Sequence, residues 1–265
     1  MIINFKKTLV ICLLAVSALM TGCANQPKSD DDTVTIYFAR HGKTLFNTFD
    51  LVQGWADSPL TEQGIGVAQY LGEGLKGIPF DAYYTSDAGR QRETMQVILK
   101  QMGVKDYTIT ELQGLREVFY GGYEGGPNAK VVSDSMKLLG YKSIDAYFKD
   151  YSAGKLEIKT IVDPIAEVDA KKLAENYAQV KARTQEALHT IVQTALEKGQ
   201  HNILAISSGM SMQVMISDLT DNIDKNKPLS NATVVKITYK NGQYHVDEIG
   251  SMEYVQKGRA ALTGK

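Results

Sequence analysis

Residues 33–47 read TVTIYFARHGKTLFN. The first half, Val34 to Ala39, is apolar and rich in β-branched and aromatic residues, the pattern of a buried strand. The second half breaks into Arg40, His41, Gly42, Lys43 and Thr44. A cation and an imidazole therefore stand where a buried strand ends. In open α/β sheets that is the ligand-binding edge, because loops at the carboxyl ends of the strands surround the crevice. Alone, the pair also fits a solvated surface turn. Complementary groups elsewhere in the chain decide between the two.

Upstream of this stretch, Lys6 and Lys7 precede an apolar run from Leu9 to Met20, followed by small residues. That is the architecture of a secretory leader, and the run is shorter than the ~20 residues of a membrane span. Leu19-Met20-Thr21-Gly22-Cys23 resembles a bacterial lipobox, with Met20 where the pattern prefers Leu. The expected organisation is a leader over 1–22 and a lipid anchor on Cys23. A polar tether over 23–32 and a domain over 33–256 follow, then a flexible tail over 257–265. The only cysteines are Cys12 and Cys23, so the expected domain has neither a disulfide nor thiol chemistry. The expected location is extracytoplasmic, at the membrane through that anchor. Apolar content of 43%, charged content of 22% and a formal charge of −1 fit an ordinary globular protein. No basic stripe interleaved with aromatics marks a nucleic-acid surface.

Downstream, Thr61 is a candidate N-cap for a helix to about Leu75. Gly72, Gly74 and Gly77 spell GxGxxG, but they close a helix instead of opening one after a strand. They fit helix termination and not a dinucleotide site. Phe80 to Thr85 reads as a strand, 88–102 as a helix and 107–112 as a strand. Residues 121–169 look like an irregular cap with one or two helices between Ala129 and Tyr151. A long helix is expected from Ala170 to Lys198, a strand over 203–206 and a short helix over 211–219. Two last strands, 234–239 and 244–249, flank Asn241-Gly242, a pair suited to a tight hairpin. Alternating strands and helices predict an α/β class fold: a three-layer α/β/α sandwich with a mostly parallel sheet.

In such a sheet Arg40-His41, Ser86 to Arg90 and Ser207-Ser208 share one edge. Arg90 opens a helix whose N-terminus favours an anion. Two arginines suit phosphate, because the planar guanidinium donates two parallel hydrogen bonds. A neutral imidazole among them is a competent nucleophile at phosphorus. Glu117 and Glu124 lie in a loop after the third strand, and by spacing either can serve as proton donor.

Together these motifs resemble the histidine phosphatase superfamily, in its phosphoglycerate mutase-like branch. The resemblance rests on Arg40-His41-Gly42 with Thr44 and Asn47, on the segment from Gln53 to Gly64, and on Thr85-Ser86-Asp87 with Arg90 and Thr94. Glu117 with Gly121, Glu124 and Gly125, then Arg183 and the Asn231 region, complete it. Lys43 after the RHG triplet, and the lack of a later His-Asp pair, set the chain apart from the acid phosphatase and phytase branch. The resemblance implies that His41 attacks phosphorus, that Arg40 and Arg90 hold the equatorial oxygens and that Glu117 protonates the leaving oxygen. Asn47, Thr44, Gly54, Ser208 and Gly209 would contact a small phosphorylated substrate. No metal or cofactor is implied. The same Asn47 also fits a turn cap, and Glu124 a solvated carboxylate.

One position departs from the family. Ser208 stands where a second catalytic His belongs, and losing one donor to a developing oxyanion costs on the order of 10²–10³ in rate. His201 lies at the far end of the same strand, His189 in the long helix and His245 in the last hairpin. The expected function is an extracytoplasmic phosphomonoester hydrolase. The alternative is a catalytically weak lipoprotein that binds phosphorylated ligands. A glycolytic mutase fits poorly with a leader peptide.

Overall fold

The computed structural model describes residues 33–264. The leader, the lipobox at Cys23 and the tether lie outside the described residues. Fifteen elements follow in chain order: β1 (Val34–Arg40), α1 (Leu45–Thr48), α2 (Glu62–Leu75), β2 (Ala82–Thr85), α3 (Gly89–Met102), β3 (Ile109–Glu111), α4 (Asn128–Ser135), α5 (Ile144–Ser152), α6 (Ile158–Val168), α7 (Tyr177–Lys198), β4 (Asn202–Ser207), α8 (Gly209–Ile216), β5 (Val234–Lys240), β6 (Gln243–Ser251) and α9 (Glu253–Thr263). The six strands form one sheet in the order β3-β2-β4-β1-β5-β6. β1 to β4 are parallel, and β5 and β6 add an antiparallel edge. β1 is central and sets Arg40 opposite Ser207 of β4. This is the mostly parallel α/β sandwich that the alternation predicts.

Strand period divides the core between two faces. Ile36 and Phe38 of β1 pack with Ile191 and Val192 of α7, while Tyr37 and Ala39 pack with Leu71, Ile98 and Val255 of α2, α3 and α9. Both faces are covered, which is why β1 and β4 read as continuous apolar runs. A third apolar cluster joins α4 and α6 to Val118, Val180 and Val214. It seats the cap beside the carboxyl edge of the sheet.

Four local expectations need correction. α6 was not expected, since Pro164 lies inside it. Its buried Ile158, Ile161, Val162 and Ile165 repeat at helical spacing. Burying four such side chains at roughly 1.5–3 kcal/mol each outweighs the ~3 kcal/mol proline penalty. α7 begins at Tyr177 and not at Ala170, because Asn176 and Gln179 form a reciprocal capping box. The expected tail is no tail: α9 runs to Thr263 and packs on α2. The glycines of the GxGxxG string divide their work. Gly77 has φ +95° just past the helix end, whereas a Cβ on Gly74 would lie 1.7 Å from the Tyr254 carbonyl oxygen. Gly74 is thus a close-approach site for α9 within α2. The hairpin fits its sequence, with positive φ at both Asn241 and Gly242.

Candidate active site

His41 leaves β1 with its backbone fixed on three sides. Its N–H donates to the Ser207 carbonyl at 3.1 Å, and its own carbonyl accepts from Asn231 Nδ2 at 2.9 Å. The next residue, Gly42, donates its N–H to Thr94 Oγ1 at 3.0 Å. Gly42 must be glycine, because a Cβ there would lie 2.6 Å from the Gly64 carbonyl oxygen in the first turn of α2. The imidazole is 3% exposed. Its Nδ1 lies 2.8 Å from the Gly42 carbonyl oxygen, an acceptor, so Nδ1 carries the hydrogen and Nε2 keeps its lone pair. Burial, then the charges of Arg90 and Arg40, hold its pKa well below the ordinary imidazole value. A neutral ring with an open Nε2 is the nucleophilic form.

His41 opens into a cavity of about 180 Å³ that Arg40, Glu117, Asn47, Gln53 and Gly209 also line. A larger open groove of about 900 Å³ lies beside Asp81, Lys105 and Tyr107, at the opposite edge of the sheet. Its lining includes Asp106, Tyr84 and Lys198; the smaller cavity is the one that holds His41, Arg40 and Glu117 together.

Glu117 is 7% exposed and sits at the N-terminus of α8. Its Oε1 accepts from Ser211 N at 2.8 Å and Val118 N at 2.9 Å, and Oε2 accepts from Met210 N at 3.2 Å. Helix N-termini favour such anions. Arg183 of α7 holds the loop from behind, donating to the carbonyls of Gly114, Arg116 and Glu117. It is itself paired bidentately with Glu175. Trp55 adds an indole N–H to the Glu117 carbonyl at 3.1 Å.

The two candidate carboxylates separate cleanly. Glu124 accepts four backbone N–H bonds, from Gly54, Trp55, Ala56 and Tyr120. It is a staple between two loops, not the solvated carboxylate allowed for above. Only Glu117 faces the cavity.

Arg90 is fully buried and differs from the expected open fork. Its Nη1 donates to Ala56 O at 3.2 Å and Asp57 Oδ1 at 2.9 Å; Nη2 donates to Gly54 O at 2.8 Å and meets Ser208 Oγ at 3.5 Å. Its Nε alone is buried without a partner. The anion at the N-terminus of α3 is the chain's own Asp57, which accepts from Arg90 N at 3.3 Å. Arg90 therefore serves His41 as a charge with one spare donor. Arg40 lines the cavity directly; one Nη is spent on the Leu229 carbonyl, and its Nε has no partner.

The expected contact residues scatter. Asn47 and Gly209 line the cavity, but Thr44, Gly54 and Ser208 do not. Asn47 is also a cap: its Oδ1 accepts from Thr44 N, and Thr44 Oγ1 returns the bond to Asn47 N. Ser208 is completely buried, its Oγ 3.1 Å from Nε2 of Gln91. Sequence reasoning missed Gln91, and it missed Tyr120 and Tyr151, which the Glu117 loop and the cap contribute to the wall. Tyr120 lies between Glu117 and Glu124 in the loop after the third strand, so its place was readable; Tyr151 reaches the site only through α5.

A buried neutral imidazole beside two guanidinium groups, with a carboxylate lining the same small cavity, is an arrangement whose chemistry suits a phosphoryl group. The chain belongs to the histidine phosphatase superfamily (branch 1), whose family pattern matches residues 36–147 and 149–251. A phosphoglycerate mutase of Schizosaccharomyces pombe is 28% identical over 84% of this chain and 93% of its own. A 2,3-bisphosphoglycerate-dependent phosphoglycerate mutase of Beijerinckia indica is 33% identical over 50% of this chain. The match spans 63% of that relative and 44% of its counterpart from Parvibaculum lavamentivorans, so the aligned parts cover about half of these mutases. The crystal structure of a phosphoglycerate mutase from Bacillus anthracis superposes with a TM-score of 0.80 at 35% identity, over 87% of this chain and 98% of that one. A mycobacterial glucosyl-3-phosphoglycerate phosphatase shares the fold at 17% identity and a TM-score of 0.62, over 82% of this chain and 99% of that one.

Proposed function

We propose that the chain is a phosphomonoester hydrolase that works through a phosphohistidine at His41. The observation that carries this reading is the neutral imidazole, with Nδ1–H fixed on Gly42 and Nε2 open to the cavity. Nε2 attacks phosphorus while the bond to the leaving oxygen breaks. Arg40 meets the charge on the phosphoryl oxygens, and the buried guanidinium of Arg90 adds its positive field from behind the cavity wall. Glu117 supplies the proton of the leaving alcohol. Oε1 holds two N–H bonds and Oε2 one, so Oε2 is the oxygen suited to carry that proton. Water then attacks the phosphohistidine, gives its proton back to Glu117 and releases phosphate. In this reading the protein acts outside the cytoplasm, held at the membrane by a lipid on Cys23.

The alternative, a phosphate-binding lipoprotein with slow turnover, draws support from Ser208 in the place of a second His and from the committed donors of Arg90. One experiment addresses both. Membranes from cells producing the chain are assayed for aryl-phosphate hydrolysis beside His41→Ala and Cys23→Ala versions. His41→Ala is expected to lose at least 10³ in rate, and Cys23→Ala to move the activity to the soluble fraction. Equal rates with and without His41 would end the hydrolase reading; activity that stays on the membrane without Cys23 would end the anchor.

A further inference from the structure

We infer that the cavity selects phosphate monoesters whose alcohol part carries no negative charge, and rejects those bearing a second anion such as a carboxylate. The inference rests on the hydrolase reading, since it concerns the leaving-group side of the same cavity.

Among the described residues, the cavity's charged lining is confined to Arg40 and Glu117. Arg40, with Arg90 behind it, is already assigned to the phosphoryl group. All the remaining wall is uncharged: apolar side chains such as Leu51 and Leu229, phenols and amides. An anion placed there would leave water without meeting a cation, and burying an unpaired charge is strongly unfavourable. It would also share the small cavity with the Glu117 carboxyl group.

The polar atoms of that wall point to the same choice. Tyr120 donates its hydroxyl hydrogen to Met210 Sδ at 2.8 Å, and Tyr151 donates its own to Gln213 Oε1 at 2.9 Å. The Gln213 amide nitrogen is spent on the carbonyls of Lys225 and Lys227. Burial raises both phenols above their ordinary range, so they stay neutral. With their protons committed, the two phenol oxygens offer lone pairs, which suit an alcohol O–H and repel a carboxylate. Asn128 is tied through Nδ2 to the Asp50 carboxylate at 2.9 Å, which adds negative charge on the outer side. The nearby lysines face elsewhere: Lys225 bonds the carbonyls of Ser217 and Thr220, and Lys227 pairs with Asp224.

The test uses two esters of one three-carbon skeleton, glycerol 3-phosphate and 3-phosphoglycerate, which differ in a hydroxymethyl group against a carboxylate. Phosphate release by the full chain in detergent is measured with His41→Ala as the blank. Glycerol 3-phosphate is expected to have at least a tenfold higher kcat/KM, and Leu51→Lys to narrow that gap at least threefold. His41-dependent turnover that is equal for both esters, or faster for 3-phosphoglycerate, would overturn the selectivity and leave the hydrolase reading standing. Calorimetric binding of the same two esters to the His41→Ala chain reads the wall without chemistry. A tenfold preference for glycerol 3-phosphate there supports the inference even without turnover; equal or reversed affinities overturn it.

Discussion

Ser208 sits among donors. Gln91 Nε2 and Arg90 Nη2 both point at its Oγ, and the side chain is buried behind the cavity wall. If a His belongs at this position in the family, restoring it alone does not suffice. The Gln91 amide is fully buried and already fixed, with Oε1 on Ser86 N at 2.9 Å and Nε2 on the Leu115 carbonyl at 3.1 Å. An imidazole pushed against it overpacks the site, which typically costs about 1–3 kcal/mol. Ser208→His is therefore expected to lower the melting temperature without raising kcat. Ser208→His combined with Gln91→Ala, which vacates the space, is expected to raise kcat on an aryl phosphate at least tenfold. Equal gains from the single and the double variant would show that Gln91 does not block the position.

At the scale of elements, the contact of α2 with α9 depends on two missing side chains. A Cβ on Gly258 would lie 1.8 Å from the Tyr70 carbonyl oxygen, while one on Gly66, also in α2, would meet nothing within 4 Å. Gly258→Ala should force the helices apart and lower unfolding stability in urea by about 2 kcal/mol or more. Gly66→Ala should raise it by roughly 0.5–1 kcal/mol, since alanine is the better helix former. Matching effects from the two would mean that α9 does not dock closely. The same contact explains why α9 was hidden in the sequence: close backbone approach through glycine leaves little apolar periodicity to read. By contrast β1, β4 and the hairpin were legible because continuous β-branched apolar runs and turn chemistry are local. His41 and Arg40 were legible as a cation and an imidazole at the end of such a strand. The ties of Arg90 to Asp57 and of Gln91 to Leu115 were not, because each depends on a partner from another loop. The start of α7 was lost for a related reason. Residues 170–176 look helical in composition, but Asp169 draws the N–H groups of Lys171, Leu173 and Ala174 into a turn.

For the folded domain as a whole, the buried imidazole sets a pH limit. Unfolded, His41 has a pKa of about 6.5; folded, burial and the charges of Arg90 and Arg40 keep it well below that. Above about pH 6.5 neither state binds the proton, and His41 adds no slope. As pH falls below that value the unfolded chain takes up a proton that the folded one refuses, so stability falls with pH. The slope from this one group approaches about 1.4 kcal/mol per pH unit until the folded pKa is reached. Carboxylates titrate over the same range, so the comparison must be between variants. His41→Gln keeps the volume approximately and removes the titration. Its urea-derived stability is expected to drop less than that of the parent between pH 6.5 and 5.5, by roughly 1 kcal/mol. Parallel slopes for the two proteins would mean that folded His41 takes up its proton over the same range as the unfolded chain, so that burial and the two arginines do not favour the neutral ring on which the nucleophile reading rests.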